Sequence, residues 1–408
     1  MSTSLLYHGF RIRGYRYVKT EFEGGGIRFH IERAPKRLRC NRCDSPWVIL
    51  RGSKERSFRA LPIGPTPVTV VLHQQRIECR ECNSLHWDRA DFADGKHRYT
   101  RSFGRYVLGL SQHMCMSAVA EHLGVGWDLV KELKMQYLQR HFDPPRLADL
   151  KEIAIDEISV GQGHRYMTIV LDLSTGAIVY TGEGKGADAL AEFWPRLKRS
   201  GAHVEAVAMD MSQAYITAVT DALPGAAVVF DRFHVVKLVN EKLTELRRDL
   251  YRQMQDRAQK DVLKGSRWLL LKNPENLNVE RGDWEHLQEV LTANRPLALG
   301  YYMKEELRLF WEQDDRQQAV ELLEGWIGRA RASGVKILQG LADTMQKHWD
   351  GLLAWYEFPI GTGRLEGVNN KIRALTRQAY GFRDRKFFRL QLFGLHETRR
   401  ELVGVAAS

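Results

Sequence analysis

The stretch 151-KEIAIDEIS-159 reads as a short apolar strand that delivers an acid, Asp156, to its end. The same situation recurs in 204-VEAVAMDMS-212, where Asp210 follows an apolar run. A third acid, Glu366, lies far downstream in 363-GRLEGVNNKIR-373, a pattern that predicts a helix. Asn369, Asn370 and Arg373 follow Glu366 at helical spacing and so share its face. Taken alone, Asp156 is as well explained as a turn or cap residue. Asp210, the strand order around both and the later Glu366 together favour chemistry. Glu157, Asp172 and Glu183 also fall near predicted strand ends, and spacing does not separate them from the other acids.

Outward from Asp156, strands are predicted over 153–159, 165–173 and 177–181, with a turn at Ser174, Thr175 and Gly176. A helix over 187–199, a strand over 204–209, a helix over 212–222 and a strand over 227–230 follow, and a long helix begins near Phe233. Three meander strands and then alternating helix and strand is the order of a ribonuclease H-like mixed sheet. In that fold the first and fourth strands are neighbours, so Asp156 and Asp210 are expected side by side at their C-terminal ends. At the end of the fifth strand, 231-DRFHVVK-237 places Asp231 and His234 three residues apart, which suits substrate phosphate or leaving-group handling. A helix cap and a packed histidine would look the same.

Three carboxylates held together repel unless divalent cations neutralise them. Mg²⁺ (or Mn²⁺) takes oxygen ligands and keeps positions for water and phosphate. Two such ions about 3.5–4 Å apart stabilise both the attacking and the leaving oxygen of an in-line phosphoryl transfer. Asp156, Asp210 and Glu366 are the candidate ligands.

The remainder of the chain is read as follows. A formal net charge of +11 suggests a polyanionic partner, most simply nucleic acid. No apolar run is long enough to span a bilayer, and the N-terminus lacks the pattern of a signal peptide, so a cytoplasmic, nucleoid-associated protein is expected. Four of the five cysteines form two C-x-x-C knuckles, Cys40–Cys43 and Cys79–Cys82, as in a zinc ribbon. Two knuckles close an S4 shell around structural Zn²⁺ and leave no open position for catalysis. His73, His86 and His97 are weaker substitutes for a ligand. Strands are expected over 47–50 and 68–72, broken by Pro62, Gly64, Pro65 and Pro67.

Residues 101–142 read as three helices, the second and third forming a helix-turn-helix with Gly124 between them. Ser117 is its candidate N-cap; Ala118, Ala120, Leu123, Val125, Trp127 and Val130 are its candidate core; Cys115 is expected to fill a gap there. Trp127, Asp128, Lys131 and Lys134 are expected near the DNA-facing side. Asp143, Pro144 and Pro145 mark a boundary.

Residues 240–355 read as mostly helical, an all-α insertion whose recurring tryptophans are expected in a core. The basic tail from Lys371 to Arg400, with Tyr380, Phe382, Phe387, Phe388 and Phe393 interleaved, suits a nucleic-acid groove, although its aromatics suit a core equally well. Arg373, Arg377, Arg383, Arg385 and Lys386 are its candidate phosphate contacts. The expected division is a zinc ribbon over 1–98, a helix-turn-helix over 99–145 and a multidomain α/β catalytic core over 150–240 and 359–408, interrupted by the all-α insertion over 241–358.

The segments IAIDEIS, AMDMSQAY, FDRFHVVKLVNEKL and GRLEGVNNKIRALTRQAYGFRD resemble bacterial insertion-sequence DDE transposases of the ISL-three family. The paired knuckles and the helix-turn-helix are similar to that family's layout. The resemblance implies Asp156, Asp210 and Glu366 as the three acids, and Asp231 with His234 as the C/D-x-x-H element of related enzymes. It implies binding to terminal inverted repeats, strand cleavage and strand transfer to target DNA. Because two ends must be cut together, a homodimer or higher synaptic assembly is expected. The segment after Cys82, NSLHWDRADFADGKHRY, departs from the family pattern and leaves the edge of the zinc module open. Two other readings remain: a domesticated DNA-binding repressor, and a structure-selective nuclease of the same fold.

Overall fold

The computed structural model describes residues 5–161, 165–360, 363–379 and 381–397. The chain divides into two compact units, Met1–His141 with the segment from Glu397, and Phe142–His396.

In the first unit, β1 (Tyr15–Glu23), β2 (Gly26–Arg33), β3 (Val48–Ile63), β4 (Thr66–Cys79) and β5 (Leu85–Trp87) form one sheet. Its order is β1-β2-β4-β3, with β5 also on β4. β4 is central and reads Val-Thr-Val-Val-Leu; Val68, Val70, Val71 and Leu72 are fully buried. β3 and β4 make a long antiparallel hairpin. The strands are longer than expected, because the prolines fall at their ends. Only the Gly64–Pro65 pair turns, with Gly64 at φ 58°, a conformation glycine adopts without strain.

Three helices follow: α1 (Arg101–Leu110), α2 (Met116–Leu123) and α3 (Trp127–Phe142). Thr100 caps α1 by accepting from Phe103 N. Gly124, at φ 59°, ends α2, and Val125 N donates back to Ala120 O. Val119, Ala120, Leu123, Val130 and Leu133 close a small core with Phe103 and Val107. Three expectations fail here. Ser117 lies inside α2, not at its cap. Cys115 is exposed. Trp127 is exposed too, and Val119, not expected in the core, is buried there instead.

In the second unit, β6 (Glu152–Gly161), β7 (Arg165–Asp172), β8 (Ile178–Glu183), β9 (Ala206–Met209) and β10 (Ala227–Phe230) form a sheet of order β10-β9-β6-β7-β8. β6, β7 and β8 are an antiparallel meander. β9 and β10 add in parallel on the other side of β6. This is the mixed sheet anticipated from the strand order. The helix expected over 187–199 is a short turn over Ala187–Leu190 followed by α4 (Phe193–Ser200). Pro195 lacks an N–H and is tolerated only in a first helical turn, which agrees with a start at Phe193. α5 (Gln213–Ala222) and α6 (Arg232–Gln253) complete the alternation.

Each face of the sheet has its own apolar layer. On one face Ile153, Ile155, Val207, Met209 and Phe230 pack with Phe193, Tyr215 and Val235. The same layer takes in Leu323, Trp326, Leu341 and Met345 of the long helical segment. Before these lie α7 (Asp283–Ala293) and α8 (Arg295–Arg308); α9 spans Arg316–Ala332 and α10 Lys336–Lys347. The helical segment therefore covers the sheet directly, while Leu243, Leu246, Leu287 and Tyr301 build a smaller core of their own. Trp326 is fully buried and donates to Met303 O at 2.8 Å. Trp268 and Trp284 are exposed, contrary to the core expected for the tryptophans.

On the opposite face Ala154, Ile158, Ile169, Leu171, Ala208 and Val229 meet α11 (Gly363–Gln378) and α12 (Arg385–Phe393). Leu365, Val368 and Ile372 supply the apolar stripe of α11. Phe387, Phe388 and Phe393 are buried, and Phe382 stacks on Phe388, so these aromatics are core, not a nucleic-acid groove. Tyr380 and Arg400 lie outside the described residues.

Candidate active site and metal centre

Asp156 sits in the body of β6, not at its end as expected. β6 is paired with β7 along its whole length, but β9 stops at Met209. Asp156 thus lies where β6 loses its parallel neighbour. Ala154 is opposite Ala208, so two residues further on the register sets Asp156 level with Asp210. Phe230 is opposite Met209, which sets Asp231 level with Asp210 in turn. Three aspartates thus form a row across adjacent strands, where the parallel ladders end.

Side chain alternation turns Asp156 to the same face as Ala154 and Ile158, the face covered by α11. Asn369 of α11 donates from Nδ2 to Asp156 Oδ2 at 2.7 Å. Glu366 is three residues earlier on that helix and hence on the same side of it. Arg364 anchors the start of α11 by donating to the carbonyls of Leu173 and Ser174, beyond β7. On α6, Asp231 caps the helix by accepting from Phe233 N at 2.8 Å. His234 Nε2 lies 3.7 Å from Asp231 Oδ2 and 4.0 Å from Asp156 Oδ1. Asp210 Oδ1 accepts from Ser212 N.

The other acids have structural work. Glu157 alternates to the opposite face and accepts from Tyr215 at 3.0 Å. That hydroxyl also takes Gly186 N and shares a bond with Thr168, while burial pushes its pKa up to about 12. Asp172 accepts from Ser174 and Thr175 and closes the turn after β7. Glu183 pairs with Arg385 at 2.5 Å.

The arrangement brings Asp156, Asn369, His234 and Asp231 together, with Asp210 in register beside them. Asp156, Asp210 and Glu366 do not close to within 4.8 Å of one another, and they form no three-ligand cluster among the described residues. Asn369 Oδ1 is buried and has no hydrogen-bond donor among the described residues. An orphan acceptor beside half-buried carboxylates fits a hard cation carrying its own water donors. Asn369 was readable in the sequence only as a neighbour of Glu366 on the helix face; its bridge to β6 was not.

In the first unit, Cys40, Cys43, Cys79 and Cys82 form one cluster, and all four are reduced. Sulfur separations are 3.6 Å for Cys40–Cys82 and 3.5 Å for Cys43–Cys79 and Cys43–Cys82. Tetrahedral Zn–S bonds of about 2.3 Å put sulfurs roughly 3.8 Å apart, so the set fits zinc closely. The Ser84 hydroxyl lies 3.4 Å from the Cys40 sulfur and 3.0 Å from that of Cys82 and holds both thiols low, whereas the neighbouring sulfurs of Cys79, Cys82 and Cys40 push the Cys43 thiol up. No histidine substitutes. His86 accepts from Asn41 N. His97 packs on Tyr99. His73 belongs to a second cluster with His30 and Glu55, in which His30 is buried and its Nδ1 is 3.2 Å from His73 Nε2.

Among the expected DNA contacts, Lys131 lies over the exposed Trp127 ring, and Lys134 is half-buried on the same helix. Arg373, Arg377, Arg383 and Lys386 are exposed, while Arg385 is held by Glu183. No described helix is long and apolar enough to cross a membrane.

Residues 153–392 match the ISL3 DDE family described as "Transposase". Residues 89–133 match "Helix-turn-helix domain of transposase family ISL3", and residues 36–82 match "zinc-finger of transposase IS204/IS1001/IS1096/IS1165". The transposase for insertion sequence element IS1001 of Bordetella parapertussis is 30% identical, over 93% of this chain and 95% of that protein. The transposase for insertion sequence element IS1557 of Mycobacterium tuberculosis is 27% identical, over 85% of this chain and 82% of its own. A solved chain of the Drosophila P element transposase strand transfer complex aligns at TM-score 0.32 and 11% identity, over 63% of this chain and 79% of that one.

Proposed function

The chain belongs to transposase family ISL3, and from that premise we propose that this DNA transposase cuts and joins DNA through Asp156, Asp210 and Glu366. The observation that carries the reading is the Asn369 bridge, which ties the helix of Glu366 to Asp156, beside Asp210 in register. Two Mg²⁺ or Mn²⁺ ions held by the three acids would supply Lewis-acid stabilisation of the attacking and leaving oxygens. The chain's own residues then have separable tasks. Asn369 orients the Asp156 carboxylate. Asp231 fixes the first turn of α6 and, with it, the imidazole of His234. His234 is placed to meet substrate phosphate or the departing 3′-oxygen. In cleavage, water oxygen forms the new bond to phosphorus as the bond to the 3′-oxygen breaks. In joining, the freed 3′-hydroxyl takes the place of water.

Terminal-repeat recognition is assigned to residues 1–145 and chemistry to 150–240 with 359–408. Cys40, Cys43, Cys79 and Cys82 would hold one structural zinc. Lys131, Lys134, Arg373, Arg377, Arg383 and Lys386 would contact phosphates; Arg385 would have to leave Glu183 first. Two ends cut together call for a dimer or larger synaptic assembly.

The test is strand cleavage on a duplex carrying the element's terminal repeat, with Mg²⁺ or Mn²⁺. The expected result is cutting at the repeat by the wild type, and none by Asp156→Ala, Asp210→Ala or Glu366→Ala while each still binds. Binding without cutting by the wild type, even with paired ends and Mn²⁺, would sink the reading. Cutting that survives Glu366→Ala would remove that residue from the triad.

A further inference from the structure

α6 leaves the acid site carrying a stripe that the chemistry above does not use. Phe233, Lys237, Asn240, Thr244, Arg248 and Tyr251 recur at three- and four-residue spacing. From Phe233 to Tyr251 the stripe runs about 27 Å. It forms the floor of two adjoining hollows that share Arg248. One, of about 370 Å³, begins at Phe233 and is walled by Arg267 and Leu271. The other, of about 250 Å³, lies between Arg247, Arg252 and Lys264.

The lining is strongly unbalanced. It holds Lys237, Arg247, Arg248, Arg252, Lys264 and Arg267 against one acid, Glu241. Of the six cations, Arg252 alone has a carboxylate partner among the described residues, Asp249. Burial, and then the neighbouring Arg248 and Arg267, push the Arg247 guanidinium below its usual range. Guanidiniums crowded without an anion are disposed to take a phosphate. Arg247 Nε and Asn240 Oδ1 are buried there without hydrogen-bond partners among the described residues.

Large aromatic rings are exposed in and beside this lining. Phe233, in the lining, is 58% exposed, and Trp268, next to the lining residue Arg267, is 65% exposed. Arg267 stacks on Trp268 at 4.7 Å, and Lys260 approaches the exposed Tyr251 at 5.8 Å. A solvated charged face has no need to hold rings in water. Rings beside unpaired cations in a groove are what a sequence-tolerant single strand requires, since each base offers a face to stack and each link a phosphate. Duplex DNA keeps its bases stacked inside and would use only the cations.

We propose that the α6 groove binds a single strand of DNA, its phosphates on Arg248, Arg267 and Lys237 and its bases on Phe233 and Trp268, leading to or from the acid site at Asp231 and His234. The surface stands apart from the assignment of the three acids, and its test needs no cleavage.

Binding of a fluorescent oligothymidylate to the full chain is measured across a salt series with no divalent cation added. Phe233→Ala and Trp268→Ala are expected to weaken binding about tenfold with the salt slope unchanged. Arg248→Ala and Arg267→Ala are each expected to flatten that slope by about 0.7. Iododeoxyuridine in the oligonucleotide should cross-link to Phe233 or Trp268, which separates this groove from binding elsewhere on the chain. Unchanged affinity in all four variants, or cross-links confined to residues 1–141, would overturn the proposal. So would aromatic variants that weaken a matched duplex as much as the single strand. A wild type that binds and cross-links but never cuts would leave the groove standing and remove the catalytic reading.

Discussion

Asp156 was legible because an acid that closes an apolar run draws notice whichever way it points. The choice among nearby acids was not, since strand spacing treats Asp156, Glu157, Asp172 and Glu183 alike. Side-chain partners separate them: Glu157 accepts a hydrogen bond from Tyr215, Asp172 closes a turn and Glu183 forms an ion pair with Arg385. Asn369 is the clearest addition. It holds the Asp156 carboxylate with one end of its amide and leaves the other end unfilled. Groups that orient a metal-binding carboxylate typically matter 10- to 100-fold in activity or metal affinity. Asn369→Ala should therefore lower cleavage by about that factor and leave binding to the terminal repeat unchanged. Equal loss of binding and cleavage would mean that Asn369 holds α11 in place and nothing more.

Elements were predicted well where period and turn signals agreed. β10 was placed over 227–230 and the long α6 near its true start. The β3–β4 hairpin was underestimated, because prolines at strand ends resemble interruptions. It also gives the four-cysteine cluster a mechanical meaning. Cys40 and Cys43 precede β3, while Cys79 ends β4 and Cys82 follows it, so the four sulfurs clasp the open end of the hairpin. Purified protein should contain one zinc per chain, and Cys40→Ser with Cys79→Ser should lose it and become sensitive to protease across residues 36–87. A folded, metal-free wild type would contradict that assignment. Glycine positions test the packing of other elements. A Cβ on Gly182 of β8 would lie 1.9 Å from the Ala189 carbonyl oxygen, which is backbone and has little freedom to give. Gly182→Ala should cost about 1–3 kcal/mol or more. Gly340→Ala, on α10 with nothing within 4 Å, should instead stabilise by about 0.5–1 kcal/mol. Urea midpoints read both.

At the scale of the whole molecule, the order of the catalytic sheet followed from counting strands and helices, because a meander followed by crossovers admits few topologies. The role of the long helical segment did not follow. Its periodicity announced helices, yet nothing in a single sequence says that Trp326 packs on the sheet while Trp268 faces water. The same limit applied to the basic tail, where aromatics between arginines suggested a binding surface and the packing against β6, β7 and β9 made a core.

α11 and α12 are made last among the described elements, and they cover one whole face of that sheet. A polypeptide cut short before Gly363, by a nonsense mutation or a stalled ribosome, would still carry the knuckles, the three helices of the first unit and two of the three acids. It would also expose the apolar side of β6, β7, β9 and β10, a broad sticky surface of the kind that aggregates or is degraded. Fragments that keep the first unit but lack Glu366 should therefore be removed before they can compete with the full-length protein.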